Sequence, residues 1–321
     1  MKYSSEQLNS IAQSTGYRAE ILEKVLLLMD LLDAFAEDTI LKHNLVLKGG
    51  TALNLFYLNL PRLSVDIDLN YIGEIDRDKM LKARSVIEEQ IVNICELQGF
   101  AIYRKPTIHA GGKIVWRYPS TLGNSGNLEI DLNFMYRLPL LPITQKQSCT
   151  IGDKAIANIP VLNIHELTAG KLSALIDRTL GRDLFDAHNL LTNKNLDTEQ
   201  LRLIFTVYAG MSRRKDFRLA APEQLNFDFT ELQNRLLPLL SKQELAKIAN
   251  KKQWAQEMLL NVHTKLSDLL PLRKQEKAFL NALLDFGEIK PELLTDDVAF
   301  QEKVKLHPAI RWTAYNVKRN S

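Results

Sequence analysis

The chain has 321 residues, 45% of them hydrophobic and 25% charged, the balance of an ordinary globular protein long enough for two domains. Its 41 basic and 38 acidic residues leave a net charge of only +3, so no global field demands a nucleic acid or a membrane. Two cysteines, Cys95 and Cys149, lack Cys-x-x-Cys spacing; they build neither a disulfide framework nor a zinc site and suit a reducing cytoplasm.

In chain order, the N-terminal MKYSSEQLNSIAQSTG has no apolar signal core, and the run ILEKVLLLMDLLDAFAED is interrupted by Glu23, Lys24, Asp30 and Asp33. Neither export nor membrane insertion is indicated, and a cytoplasmic location is expected. From Tyr17 to His43 the residues Ile21, Leu22, Val25, Met29, Leu32 and Phe35 recur at three- and four-residue steps, which predicts a helix with a buried face. There follow a short strand at Leu45 to Leu47, a Gly-Gly-Thr turn, a helix from about Ala52 to Leu58, a Pro-Arg break, and a strand Val65 to Leu69. A second amphipathic helix is expected from about Asp78 to Leu97, ending at Gly99. The segments AIYRKP, KIVWRYP and NLEIDLNFMY then read as strands, with turns at Gly111-Gly112 and Gly123 to Gly126.

Two more short strands are expected between Ile151 and Ile159, and from about Ile164 onward nearly every segment has helical periodicity. The fold class is therefore α+β: N-terminal helices over 1–44, a mixed-sheet catalytic domain over 45–162 and a C-terminal helical bundle over 163–321.

Chemistry concentrates on the strand Val65-Asp66-Ile67-Asp68-Leu69. Side chains alternate across a strand, so Asp66 and Asp68 share one face while Val65, Ile67 and Leu69 share the other. The strand NLEIDLNF repeats the device, with Glu129, Asp131 and Asn133 opposite Leu128, Ile130, Leu132 and Phe134. If the two strands lie side by side, Asp66, Asp68 and Asp131 converge, and such hard oxygen donors suit Mg2+ or Mn2+. A pair of such ions would align a hydroxyl nucleophile and polarise the α-phosphate of a nucleoside triphosphate, which predicts nucleotidyl transfer.

The KGGTA turn, Lys48-Gly49-Gly50-Thr51, opens a helix and offers backbone N–H groups and a hydroxyl to phosphates, or alternatively makes Thr51 a simple N-cap. Farther on, Lys171 and Arg178 share one face of the helix HELTAGKLSALIDR, and Asp183 and Asp186 stand one turn apart in GRDLFDAHNLL, with Arg182 spaced to pair with Asp186. His165-Glu166 lacks the second histidine of a zinc helix. The basic segments SRRKDFR and KKQW suit an RNA backbone or are simply solvated.

Taken in order, these residues resemble the DNA polymerase β type of nucleotidyltransferase. More narrowly, KGGTALNLFY with RLSVDIDL, then ELTAGKLSALIDR and GRDLFDAHNLL, resemble the AbiEii toxin family, including the MenT toxins of mycobacteria. The likeness spans about Leu45 to Leu191, with a weaker echo in HPAIRWTAYNV. The resemblance implies a toxin of a toxin–antitoxin pair related to phage defence, with a cognate antitoxin, which adds nucleotides from a triphosphate to the 3′ end of tRNA and stops translation.

By that resemblance Asp66, Asp68 and Asp131 hold metal, with Asp131 also activating the attacking hydroxyl. Lys48, Gly49, Gly50, Thr51, Ser64, Lys171, Arg178 and Asp183 serve the nucleotide, and Asp186 orients Lys171 or the nucleotide. The residues by themselves leave open transfer to a small molecule or a protein, or a nucleotide-binding regulator without chemistry.

Overall fold

The first long apolar run becomes a buried spine. In the computed structural model, which describes residues 2–106, 111–212 and 214–320, helix α2 (Ala19–Glu37) buries Leu22, Val25, Leu26, Leu28, Met29, Leu31, Leu32 and Phe35, and so is covered nearly all round. Its two buried acids are satisfied. Glu23 accepts from the Ser120 hydroxyl and the Thr121 N–H, each at 2.6 Å, and Asp30 accepts from the Tyr3 hydroxyl at 2.8 Å and pairs with Lys154 at 3.0 Å. Ahead of it α1 (Ser5–Thr15) starts at a capping box between Ser4 and Gln7 and stops at Gly16.

The chain divides into two units. The first comprises Met1–Arg137, Ile143–Leu162 and Leu237–Lys247; the second comprises Leu138–Pro142, Asn163–Leu236 and Ile248–Ser321. Relative to the division expected from sequence, 138–142 goes with the helical unit and 237–247 with the sheet unit.

The sheet unit holds a seven-stranded mixed sheet. Its strands are β1 (Leu45–Lys48), β2 (Asp66–Tyr71), β3 (Ala101–Arg104), β4 (Gly111–Pro119), β5 (Ser125–Asn133), β6 (Thr144–Lys146) and β7 (Ile159–Val161), in the order β3-β4-β5-β2-β1-β7-β6. β2 runs parallel to β5 and β1 parallel to β7; the other pairings are antiparallel. One face, with Ile67, Leu69, Ile114, Trp116, Leu128, Ile130 and Leu132, is buried. α2 packs toward this face, and α5 (Arg77–Leu97), capped by Asp76, packs on α2. Short α3 (Leu41–Asn44) leads into β1, and α4 (Gly49–Phe56) follows it directly.

Several local expectations are corrected. α4 spans Gly49–Phe56 rather than starting at Ala52, with Gly49, at φ +74, making the turn from β1 and the helix running on from Gly50. Gly111 and Gly112 open β4 and are not a turn. The strand pair between 144 and 161 is β6 with β7, and Ile151 with Lys154 forms only an isolated bridge.

The helical unit contains α6 (Ile164–Arg178), α7 (Gly181–Asn193), α8 (Thr198–Met211), α9 (Phe229–Glu231), α11 (Lys251–Leu266), α12 (Lys274–Phe286), α13 (Val298–Leu306) and α14 (Pro308–Asn320); the one-turn α10 (Lys242–Ala246) belongs to the sheet unit. α8 is its centre, packed by α6, α12 and α14 and buried from Ile204 to Met211. Arg202 of α8 forks onto Glu276 of α12, with Nε at 3.0 Å and a terminal nitrogen at 2.7 Å, a pair held out of water on both sides.

Candidate active site

The register of three strand pairings builds the catalytic surface. Lys48 lies opposite Asp68 across β1 and β2, Asp68 beside Asp131 across β2 and β5, and Asp131 opposite Lys113 across β5 and β4. One row across the sheet therefore reads Lys48, Asp68, Asp131, Lys113. Asp66 stands one step along β2, beside Glu129, and Lys113 reaches Glu129 at 2.6 Å. Along a strand, residues two apart have backbones about 6.7 Å apart, whereas registered neighbours on adjacent strands are about 4.8 Å apart. Asp68 and Asp131 are accordingly direct register neighbours, with Asp66 two residues along β2 on the same strand face.

The charges feel one another. Asp131 is pushed above the usual carboxylate range chiefly by burial, with Asp68 and Glu129 adding to the rise while Lys48 and Lys113 oppose it. Burial alone would lower Lys113, but its hydrogen bond to Glu129 and the charges of Asp66, Glu129 and Asp68 outweigh this and hold it above the ordinary lysine value.

At the edge of this row the backbone turns from β1 into α4. Lys48 is the N-cap residue and contributes no side-chain cap, so the first N–H groups of the helix are left for another acceptor. Gly49 has φ +74, and a Cβ placed on it would stand 2.0 Å from an Asp68 carboxylate oxygen; only glycine lets the helix start this close to the acid. A Cβ on Gly50 would stand 2.8 Å from the Ser64 hydroxyl oxygen and 3.0 Å from a terminal nitrogen of Arg62. Ser64, buried in the loop before β2, is thus brought against the helix start.

Thr51 is used differently from the expectation. It lies inside the helix rather than at its cap, is fully buried, and donates its hydroxyl to the backbone carbonyl of Asp66. Its oxygen braces α4 against the acidic strand. Arg62 was not singled out in the sequence, where a Pro-Arg break carries no sign of a buried guanidinium; it is only 2% exposed and donates to the Leu63 carbonyl at 2.8 Å. Lys113 was also missed, since only the β4 to β5 register puts it beside Asp131.

In the helical unit, the side chains expected on α6 and α7 form their own cluster. Lys171 lies 2.9 Å from Asp186 and 3.2 Å from Asp183, and Arg178 reaches Asp183 at 2.7 Å. Both acids are buried, Asp186 fully. Burial opposes ionisation of Asp183, but Lys171 and Arg178 outweigh it and hold the group below the usual carboxylate range. The cations of α6 are therefore anchored by the acids of α7, and the partner of Asp186 is Lys171 rather than the nearby Arg182 that helical spacing suggested.

Among the described residues, no three His, Cys, Asp or Glu side chains are arranged to hold a metal ion by themselves. The donor set nevertheless fits a divalent cation shared with a substrate: Mg2+ is held through one or two carboxylates completed by phosphates and water, and the Asp68 and Asp131 pair carries the mutual repulsion a cation relieves.

A helix start without a side-chain cap, set against registered carboxylates on a mixed sheet, is the arrangement expected of a nucleotidyltransferase. The family model for the AbiEii nucleotidyl transferase toxins of type IV toxin–antitoxin systems matches residues 30–286, and the chain belongs to that family. Among solved structures it is similar to MenT4, a nucleotidyltransferase toxin from Mycobacterium tuberculosis H37Rv, with a TM-score of 0.60 and 18% identity over 95% of this chain and 98% of that one. At that identity the likeness is one of fold. No curated protein matches in sequence. Among the described residues no helix is long and apolar enough to cross a membrane.

Proposed function

We propose that this nucleotidyltransferase toxin takes a nucleoside triphosphate with Mg2+ or Mn2+ and adds its nucleotide to the 3′ end of tRNA, which blocks translation until a cognate antitoxin intervenes. The observation that carries the reading is the approach of Gly49 to Asp68 at the start of α4. Phosphates accepted by the free N–H groups there lie next to carboxylates able to share a cation with them.

In this reading the backbone at Gly49 and Gly50, with Ser64 and Lys48, binds the β- and γ-phosphates, while Thr51 holds the helix start against β2. Asp66, Asp68 and Asp131 would hold the metal, which when bound polarises the α-phosphate and stabilises the departing pyrophosphate. Asp131, whose affinity for protons is raised, takes the proton of the attacking hydroxyl. The new bond joins the hydroxyl oxygen to the α-phosphorus, and the bond from that phosphorus to the β-phosphate oxygen breaks. By the resemblance noted above, Lys171 would also serve the nucleotide phosphates; within the helical unit Asp183 and Asp186 hold its ammonium, while Arg178 pairs with Asp183.

Incubation with each radiolabelled triphosphate and total tRNA tests the proposal. Label should appear at tRNA 3′ ends with the native protein and disappear with Asp66→Ala. Label retained by that variant would remove the acidic strands from the mechanism, and label confined to protein would remove tRNA as acceptor.

A further inference from the structure

The exposed side of α14 (Pro308–Asn320) has an unusual composition. Ala309, Ile310 and Ala314 are buried in the helical unit, where α14 packs on α8, α12 and α13. The exposed positions between 311 and 319 are Arg311, Trp312, Tyr315, Lys318 and Arg319, so each is aromatic or cationic. The helix carries no Asp or Glu at all. Trp312 is 40% exposed and Tyr315 54%, and their rings stack with centroids 5.7 Å apart and an interplanar angle of 23°. The Arg319 guanidinium continues the row, 6.0 Å from the Tyr315 ring centre. Glu288, the carboxylate whose charge reaches Lys318, is already paired with Lys290 at 2.5 Å.

We propose that this face is a stacking platform for unpaired nucleotides of the acceptor RNA, an inference that rests on the RNA reading given above. Single exposed aromatics are ordinary on protein surfaces, but a stacked pair flanked by cations on a helix without an acid of its own matches what a single strand requires. Flat π faces receive bases without regard to sequence, and Arg and Lys take the phosphates between them. A duplex hides its base faces and would gain only from the charges. From Trp312 to Arg319 the helix rises about 10 Å, the length of roughly three nucleotides at about 3.4 Å each. The platform is thus matched to a short unpaired tail.

The test uses the full chain and two probes, a short single-stranded oligoribonucleotide and a blunt RNA duplex of the same composition, with intrinsic tryptophan fluorescence and anisotropy of labelled RNA as readouts. Each of Trp312→Ala and Tyr315→Ala should weaken single-strand binding about 5- to 150-fold and leave duplex binding and the KM for the triphosphate unchanged. Trp312→Phe should retain affinity while abolishing the quenching seen on binding, which separates stacking from a folding defect. Unaltered single-strand affinity in the double alanine variant overturns the platform, as does an equal loss for both probes, the result expected of a protein partner's site or a purely electrostatic patch. Single strands that bind through Trp312 but never acquire label support the platform and defeat the acceptor reading instead. Failure of the native protein to bind either RNA defeats both.

Discussion

At the scale of single residues, the site depends on what is missing as much as on what is present. The absent side chain of Gly49 lets the start of α4 approach Asp68, and its φ of +74 is one that other residues adopt with strain. Gly49→Ala should therefore lower nucleotidyl transfer by at least tenfold and destabilise the protein by about 1–3 kcal/mol; label transfer alongside a thermal melt would check both. Lys171 carries a different kind of risk, since its removal leaves Asp183 and Asp186 buried with one fewer cation. Lys171→Ala should cost about 3–5 kcal/mol, and adding Asp186→Asn should recover part of it in urea unfolding. An unchanged melt in the single variant would mean that the buried acids do not depend on Lys171. Sequence showed that these residues carry charge at helical spacing, and the resemblance offered Asp186 as a partner for Lys171; that Lys171 and Arg178 share Asp183 shows only once α6 and α7 meet across the folded connecting turn.

At the scale of elements, α6 also ties the 138–142 segment to the helical unit. Buried Glu166 accepts the N–H groups of Leu140 and Leu141, both at 3.2 Å, and the Tyr208 hydroxyl at 3.2 Å. Burial raises its pKa from 4.5 to about 7, against the opposing pull of those donors and of Lys303. The folded state therefore holds its proton over a range in which the unfolded chain has lost it. The associated stability is complete below about pH 4.5 and falls as the pH rises toward 7, a loss on the order of 3 kcal/mol. Denaturation across pH 4.5 to 7 should show that slope, and Glu166→Gln should flatten it. A slope unchanged in the variant would assign the effect to other groups. None of this was legible in HEL as a motif, where Glu166 carried significance only for the zinc helix it fails to make.

At the scale of the whole molecule, the first unit is not a continuous stretch of chain. It takes in 237–247, where Leu239 accepts a backbone hydrogen bond from Leu63 at 2.9 Å and Lys242 donates one to Gly16 at 2.8 Å. Leu237, Leu239 and Leu240 on that segment are buried, each worth about 1.5–3 kcal/mol. A fragment of residues 1–162 should consequently melt lower than the sheet unit in the intact chain, or fail to stay soluble, as calorimetry and gel filtration would reveal. Equal stability would mean that 237–247 adds nothing. The local regularities, by contrast, were readable from sequence: the apolar period of α2, the alternation that puts Asp66 and Asp68 on one face, the glycine pair at the start of α4, and the helical bundle after Asn163. Each arises from geometry within a few residues. Only the tertiary structure decided that Asp131 neighbours Asp68 rather than Asp66, that Lys48 and Lys113 end the row, and that the Thr51 hydroxyl braces β2. Strand order and register are set by pairing between segments far apart in the chain, and a slip of one residue would send every one of those side chains to the opposite face.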